Sequence, residues 1–335
     1  MKHLKAAATG ATALMFIITG CSGDSSSSQE AEANEPVTLR LGHIQSEDDA
    51  WHLGSERFAE LVEEKTDGSV EVELYPSSTL GSDRDLVEGM QIGSVDFALV
   101  AGVMSNFYDP YAILELPYLF EDSEHLEDFL YGEGGEQLQQ DTLEATGVRG
   151  LEFFMRTPRE LTSNRLIESP EDLRGLKIRV PNIEASVEGW EAMGANPTPM
   201  NFSEVYSSLQ TGVIDAQENP AAFITNAQLQ EVQNYLVMTD HVFGYVQLLM
   251  SDETYAKLTA QEQTAVEEAA EEARIYQNNL VADQEAEALR IMEEAGMETI
   301  EVDQDEFRSK VQNVNERLAD KYGQELYNDI LEMRE

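Results

Sequence analysis

Cysteine and positive charge are the two things this sequence has least of. Its single cysteine, Cys21, excludes an internal disulfide. Only 21 lysines and arginines stand against 65 aspartates and glutamates, a formal net charge of −44. A surface of that sign repels the phosphates of nucleic acids and of anionic lipid headgroups, so a nucleic-acid-binding protein is excluded. Adaptation to high salt, where screening makes the acid load tolerable, accounts for the charge most simply. An acidic face for cationic partners is the alternative.

Enzyme signatures are equally scarce. There is no G-x-S-x-G elbow, no H-E-x-x-H zinc helix and no phosphate-binding loop. The five histidines, at 3, 43, 52, 125 and 241, are scattered without metal-site spacing. These absences argue against an enzyme. A membrane-spanning run is lacking too: the apolar stretch Ala6–Gly20 is shorter than the ~20 residues a bilayer requires. Preceded by Lys2 and Lys5 and ending in Ile-Thr-Gly-Cys, it resembles a bacterial lipoprotein signal. On that reading residues 1–20 are a signal peptide, Cys21 is the lipidation site and 21–36 form a polar, flexible tether. The protein would be anchored at the outer face of the cytoplasmic membrane without spanning it.

At 335 residues with 41% hydrophobic content, the chain is long enough for two lobes. Alternation predicts strands at 37–43 and 69–76, and a nearly continuous apolar strand at 94–100, with helices at 48–65 and 83–92 between them. Strand–helix–strand order of this kind implies parallel pairing and an α/β fold. The theme returns with strands at 148–155, 176–180 and 213–216 and helices at 184–193 and 204–211. A weak internal echo links "MQIGSVDFA" (90–98) with "LQTGVIDAQ" (209–217), each read as a helix end, a glycine cap and a buried strand. From Thr259, "TAQE" has the form of a capping box, and no proline or glycine interrupts the run up to Gly296. At ~1.5 Å per residue that helix is about 54 Å long, enough to cross both lobes as a spine. One further helical stretch, 305–333, closes the chain.

Against the acidic background, Arg149, Arg156, Arg159, Arg165, Arg174, Lys177 and Arg179 crowd into one short region. Arg174 and Lys177 suit ordinary surface pairing. Arg159 and Arg179 do so less well, since a guanidinium buried at a strand end needs a planar carboxylate partner. That partner is either an organic anion or an internal Asp or Glu, and the spacing alone leaves both open. His43 ends the first parallel strand, where open α/β sheets bind ligands.

The run "TSNRLIESPEDLRGLKIRVPN" together with "AMGANPTPMNFSEVYSSLQTGVIDAQENP", within 162–220, resembles the solute-binding subunits of tripartite ATP-independent periplasmic (TRAP) transporters of the DctP family. "LGH" (41–43), "YPSSTLGSDRDL" (75–86), "LPYLF" (116–120) and the long helix fit the same pattern. The resemblance implies a two-lobed periplasmic-binding-protein-like fold with hinge strands. Its lobes would comprise 37–156 with 245–284, and 157–244 with 285–335. It also implies a monomer that closes on a small organic acid and delivers it to a TRAP permease driven by an ion gradient. By the same resemblance Arg179 holds the ligand carboxylate, Arg159 assists, Asn219 bonds the same region and Phe202 packs against the ligand. His43, Asp83 and Arg84 are then candidates for its distal hydroxyls or for gating water. "QENP" departs from the metal-using members, so no metal and no cofactor are expected. Ala101 and Gly102 stand where sialic-acid binders carry an acid, and such neutral, small groups favour a uronic or aldonic acid. A C4-dicarboxylate anchored on Arg84 is the alternative ligand, and the alternative roles are a ligand-sensing protein for a membrane receptor or an extracytoplasmic sugar-acid lyase.

Overall fold

The computed structural model describes residues 36–334; the expected signal peptide, Cys21 and most of the tether lie outside them. Among the described residues no helix is long and apolar enough to cross a membrane. Two sheets organise the chain. The first has the order β2-β1-β3-β10-β4, built from β1 (Val37–Gly42), β2 (Val70–Tyr75), β3 (Phe97–Val100), β4 (Val148–Met155) and β10 (Tyr245–Ser251). The second has the order β11-β9-β5-β8-β6-β7. Its strands are β5 (Glu160–Ser163), β6 (Lys177–Val180), β7 (Asn196–Pro199), β8 (Ala216–Asn219), β9 (Tyr235–Met238) and β11 (Glu298–Glu301).

Strands β1, β2 and β3 pair in parallel, as strand–helix–strand order requires, while β10 runs antiparallel between β3 and β4. The internal echo is a structural repeat. Gly93 and Gly212 both take left-handed φ, 70° and 72°, a conformation that costs glycine little. Each is followed three residues later by an aspartate that brackets a neighbouring strand. Asp96 donates its N–H to Arg40 O and accepts from Arg40 N (3.1 and 2.8 Å). Asp215 does the same with Lys177 O and N (2.7 and 3.2 Å). The strand begins at the next residue in both lobes. The predicted strand 213–216 is therefore displaced: the chain enters the sheet only at Ala216, and the polar "QEN" is its buried part.

The chain passes between the sheets at 156–159 and again at 239–244. These two crossovers pair with one another through Arg156 N–H to Gly244 O (2.9 Å) and Arg159 N–H to Val242 O (3.0 Å). The long helix forms as expected, Ala260–Glu294, with Thr259 and Glu262 completing the capping box. Its first half buries Ala265, Val266, Ala269, Ala270 and Ala273 in the core of the first sheet, and Ala288 and Met292 enter a core of the second lobe. Midway, Gln277 donates to Met155 O, Asn278 accepts from Met155 N, and Glu285 accepts from Thr157 (3.1, 2.9 and 2.7 Å), so the helix holds the first crossover at its start. Gly323 breaks the expected final helix into Gln304–Tyr322 and Gln324–Glu332. Leu318, Ala319 and Ile330, expected with the second lobe, pack instead into the core that contains Leu116, Phe120 and Leu126 of the first.

Helix Ala50–Lys65 lies against the long helix at Gly54, where an added Cβ would sit 2.9 Å from Gln277 Cβ. Gly54→Val is expected to wedge the two helices apart and lower stability by about 1–3 kcal/mol. Urea denaturation followed by circular dichroism checks this; an unchanged midpoint would mean the contact can relax freely.

Candidate functional site

A cleft of about 380 Å³ opens between the two sheets' loops, within the range of small-molecule sites. Ile44, Asp83, Arg84 and Val103 line it from one side, Arg179, Pro181, Asn182 and Phe202 from the other. Past Arg179 and Phe202 it continues into a narrow inner pocket of about 50 Å³, reached by Trp51, Glu115, Arg156, Arg159, Asn219 and Phe223.

Arg179 is placed by strand alternation: Ile178 and Val180 are fully buried in the core, which turns Arg179 the other way, into the cleft, at 4% exposure. Its Nε and Nη2 donate to Met200 O at 3.0 and 2.8 Å, locking the plane of the guanidinium. The end-on Nη1/Nη2 fork is left for a ligand. No carboxylate lies within ion-pair distance of Arg179 among the described residues. Burial pulls it down to about 10, with Arg159 adding to the effect, so it remains a cation at neutral pH. Phe202 places its ring 5.8 Å from the guanidinium carbon. Asn219 ends β8 at 2% exposure and commits one amide N–H to Gln217 (2.7 Å), leaving the second.

Arg159 lines the inner pocket and takes the internal acid of the two alternatives. It is forked onto an internal acid, Glu218: Nε donates to Oε2, and Nη2 to Oε1 (2.8 Å) and to the Glu218 carbonyl (2.8 Å). Glu218 also meets His241 Nε2 at 3.0 Å, and His241 Nδ1 meets Thr239 at 2.9 Å. The physical reason is proximity. The displaced β8 carries a carboxylate into a buried site, and the planar guanidinium of Arg159 matches both of its oxygens. Burial alone would raise the Glu218 carboxyl, but the Arg159 charge and the bonds from His241 and Arg159 hold it at about 2.

His43 is another correction. It ends β1 as predicted, but its ring is fully buried, bonded to His52 Nδ1 (3.1 Å) and accepting from Gln45 N (3.3 Å), and it lines no part of the cleft. Burial and the neighbouring His52 push it down to about 3, so it is neutral. Asp83 does reach the cleft; its Oδ1 is buried without a partner among the described residues, and burial raises it to about 6. Arg84 lies at the mouth, largely exposed and paired with Glu88 at 2.8 Å.

Sequence reasoning missed two charged groups. Arg156, counted in the cluster but not singled out, lines the inner pocket with its guanidinium 4.2 Å from the Phe223 ring centroid. Burial and the charge of Arg159 pull it down to about 9, still cationic at neutral pH. Glu115 presses its carboxyl beside Gly102, where an added Cβ would fall 2.0–2.4 Å from it. The ground around Ala101 and Gly102 is therefore not neutral: the glycine admits a carboxyl from elsewhere. Burial raises Glu115 to about 7. The readable signal for Arg156 was Arg-x-x-Arg around Pro158, two cations in a four-residue link. Among the described residues no group of three or more His, Cys, Asp or Glu is arranged to hold a metal.

Residues 41–325 match the family DctP, described as bacterial extracellular solute-binding protein, family 7. A solute-binding protein of Roseobacter denitrificans is 43% identical over 85% of this chain and 89% of its own length. The crystal structure of a TRAP periplasmic solute-binding protein from that organism, with bound L-galactonate, superposes with a TM-score of 0.84 at 40% identity, covering 90% of this chain and 99% of the other. One from Chromohalobacter salexigens, with bound D-glucuronate, gives a TM-score of 0.86 at 30% identity, covering 88% and 100%.

Arg159→Met strands the Glu218 carboxylate in the core, and the expected loss at pH 7 is about 3–5 kcal/mol by urea denaturation. In the parent protein Glu218 titrates below its unfolded value of about 4.3, so its contribution is present above that pH and fades as pH falls towards 2. In the variant Glu218 protonates at higher pH, so the deficit should narrow on acidification. Adding Glu218→Gln should restore most of the stability. A deficit independent of pH would refute the ion-pair account.

Proposed function

The chain belongs to the DctP family of bacterial extracellular solute-binding proteins, and from that premise we propose that it captures a sugar acid, an aldonate or uronate, by its carboxylate. The observation that carries this reading is Arg179: buried, cationic, oriented by Met200 O and opening its free fork onto a cleft between two sheets. An arginine fork with the spare Asn219 N–H can satisfy both oxygens of one carboxylate, with charge-assisted bonds of roughly 1.5–3 kcal/mol each. Phe202 packs against the ligand body. The galactonate and glucuronate bound by the relatives support this ligand class. A C4-dicarboxylate held on Arg84 is less well supported, because that side chain is exposed and already paired with Glu88.

In this reading the protein binds its ligand without transforming it, with Cys21 lipidated and the lobes held outside the cytoplasmic membrane beside the permease. Closure brings the two cleft walls together and excludes water, which strengthens every polar contact inside. The closed, liganded form is what the permease would distinguish from the open one.

Calorimetric titration with galactonate, galacturonate and glucuronate tests the proposal. At least one should bind, and ligand at ~100 times Kd should add about 2.7 kcal/mol to stability. Arg179→Lys replaces a planar fork by a point charge and should weaken that ligand about tenfold or more. Equal affinity in the lysine variant would remove Arg179 from the anchor role, and product formation on incubation would contradict binding without turnover.

A further inference from the structure

Arg156 is the part of the inner pocket for which the carboxylate reading has no use. It opens the first crossover at 7% exposure, and its guanidinium lies over the Phe223 ring and 5.3 Å from that of Trp51. The two aromatic faces hold its plane. Its Nε and Nη2 are buried and meet no protein acceptor, and no carboxylate stands within ion-pair distance, among the described residues. Leaving such donors unpaired is costly and offsets what the aromatic contacts contribute. Acceptors brought by a ligand would complete it.

The rest of the pocket says which acceptors fit. Glu115 lines the same pocket, and so does Asp83 with its buried, unpartnered Oδ1. A second carboxylate would be drawn to Arg156 but would face both of these acids. A hydroxyl suits the mixture, because it accepts from a guanidinium and donates to a carboxylate at once. We propose that Arg156 and Glu115 form the second pole of the ligand site, holding hydroxyl groups on the tail of a polyhydroxylated acid whose carboxylate sits on Arg179. This rests on the carboxylate reading above and adds to it the end of the ligand that is selected: length and hydroxylation at the tail, against short acids and dicarboxylates.

The test titrates galactonate, glycerate and succinate into the full chain and into Arg156→Gln, Glu115→Gln and Arg179→Lys. Arg156→Gln and Glu115→Gln should each weaken galactonate about tenfold while changing glycerate, which carries the same head and almost no tail, less than about threefold. Arg179→Lys should weaken both. The proposal is overturned if Arg156→Gln weakens both acids equally, or neither, or if succinate binds the parent protein more tightly than galactonate. A ligand-free measurement separates its failure from that of the carboxylate reading. Removing an unsatisfied buried charge in Arg156→Met should leave the melting temperature of the free protein unchanged or raised. A clear fall would make Arg156 a structural ion, whether or not any acid binds, whereas a parent protein that binds none of the three acids counts against the carboxylate reading itself.

Discussion

Both crossovers between the sheets converge on one buried carboxylate, Glu218. Arg159 reaches it from the first crossover and His241 from the second, while the acid itself projects from β8 in the middle of the second sheet. In a low-dielectric interior none of these partners can be withdrawn cheaply, so the relative position of strand and crossovers is set at this point. Asn219 follows Glu218 directly, and Arg179 lies on the adjoining strand, paired in register opposite Gln217. With Arg159 neutralised by Glu218, Arg179 and Arg156 are the arginines of the inner pocket left without a carboxylate at ion-pair distance among the described residues. Of the three arginines that line the inner pocket, one is committed to an internal acid and two are not.

The same geometry bears on closure. The crossovers are short and bonded to one another, and the long helix holds Met155 by both its N–H and its C=O. The links between the sheets are thus these two crossovers beside the pocket floor and the long helix that leads from β10 to β11. On the proposed reading, a ligand seated in the pocket would touch the crossovers and both walls together, and so could bias the relative position of the lobes.

Much of the fold was legible because its elements obey simple periods. Alternation placed β1, β2, β4 and β6, and the capping box at Thr259 located the long helix to within a residue. Strand β8 misled because Val213 and Ile214 look like a strand, yet they precede the aspartate at which the chain joins the sheet; β3, predicted from 94, likewise begins only at Phe97, after Asp96. The site was half legible. Arg179 follows from alternation and scarcity of bases. The partner of Arg159 did not, because the predicted strand ended at 216 and left Glu218 outside the sheet. His43 shows a different limit: its backbone position was correct, but side-chain direction depended on His52, nine residues away. Glu115 entered the pocket only because position 102 has no side chain, a vacancy that belongs to two distant residues jointly.

The order of strands in the first sheet has a consequence for how the molecule must assemble. Strand β10, residues 245–251, lies between β3 and β4, so the amino-terminal lobe cannot be finished by the amino-terminal half of the chain. Until β10 arrives, β3 and β4 present bare edges, and the face later covered by Ala265–Ala273 of the long helix stays open. Nascent chains would thus carry an incomplete first lobe through most of synthesis, with closure of that sheet deferred to a late, long-range event. In folding, the two lobes are interdependent parts of one cooperative unit.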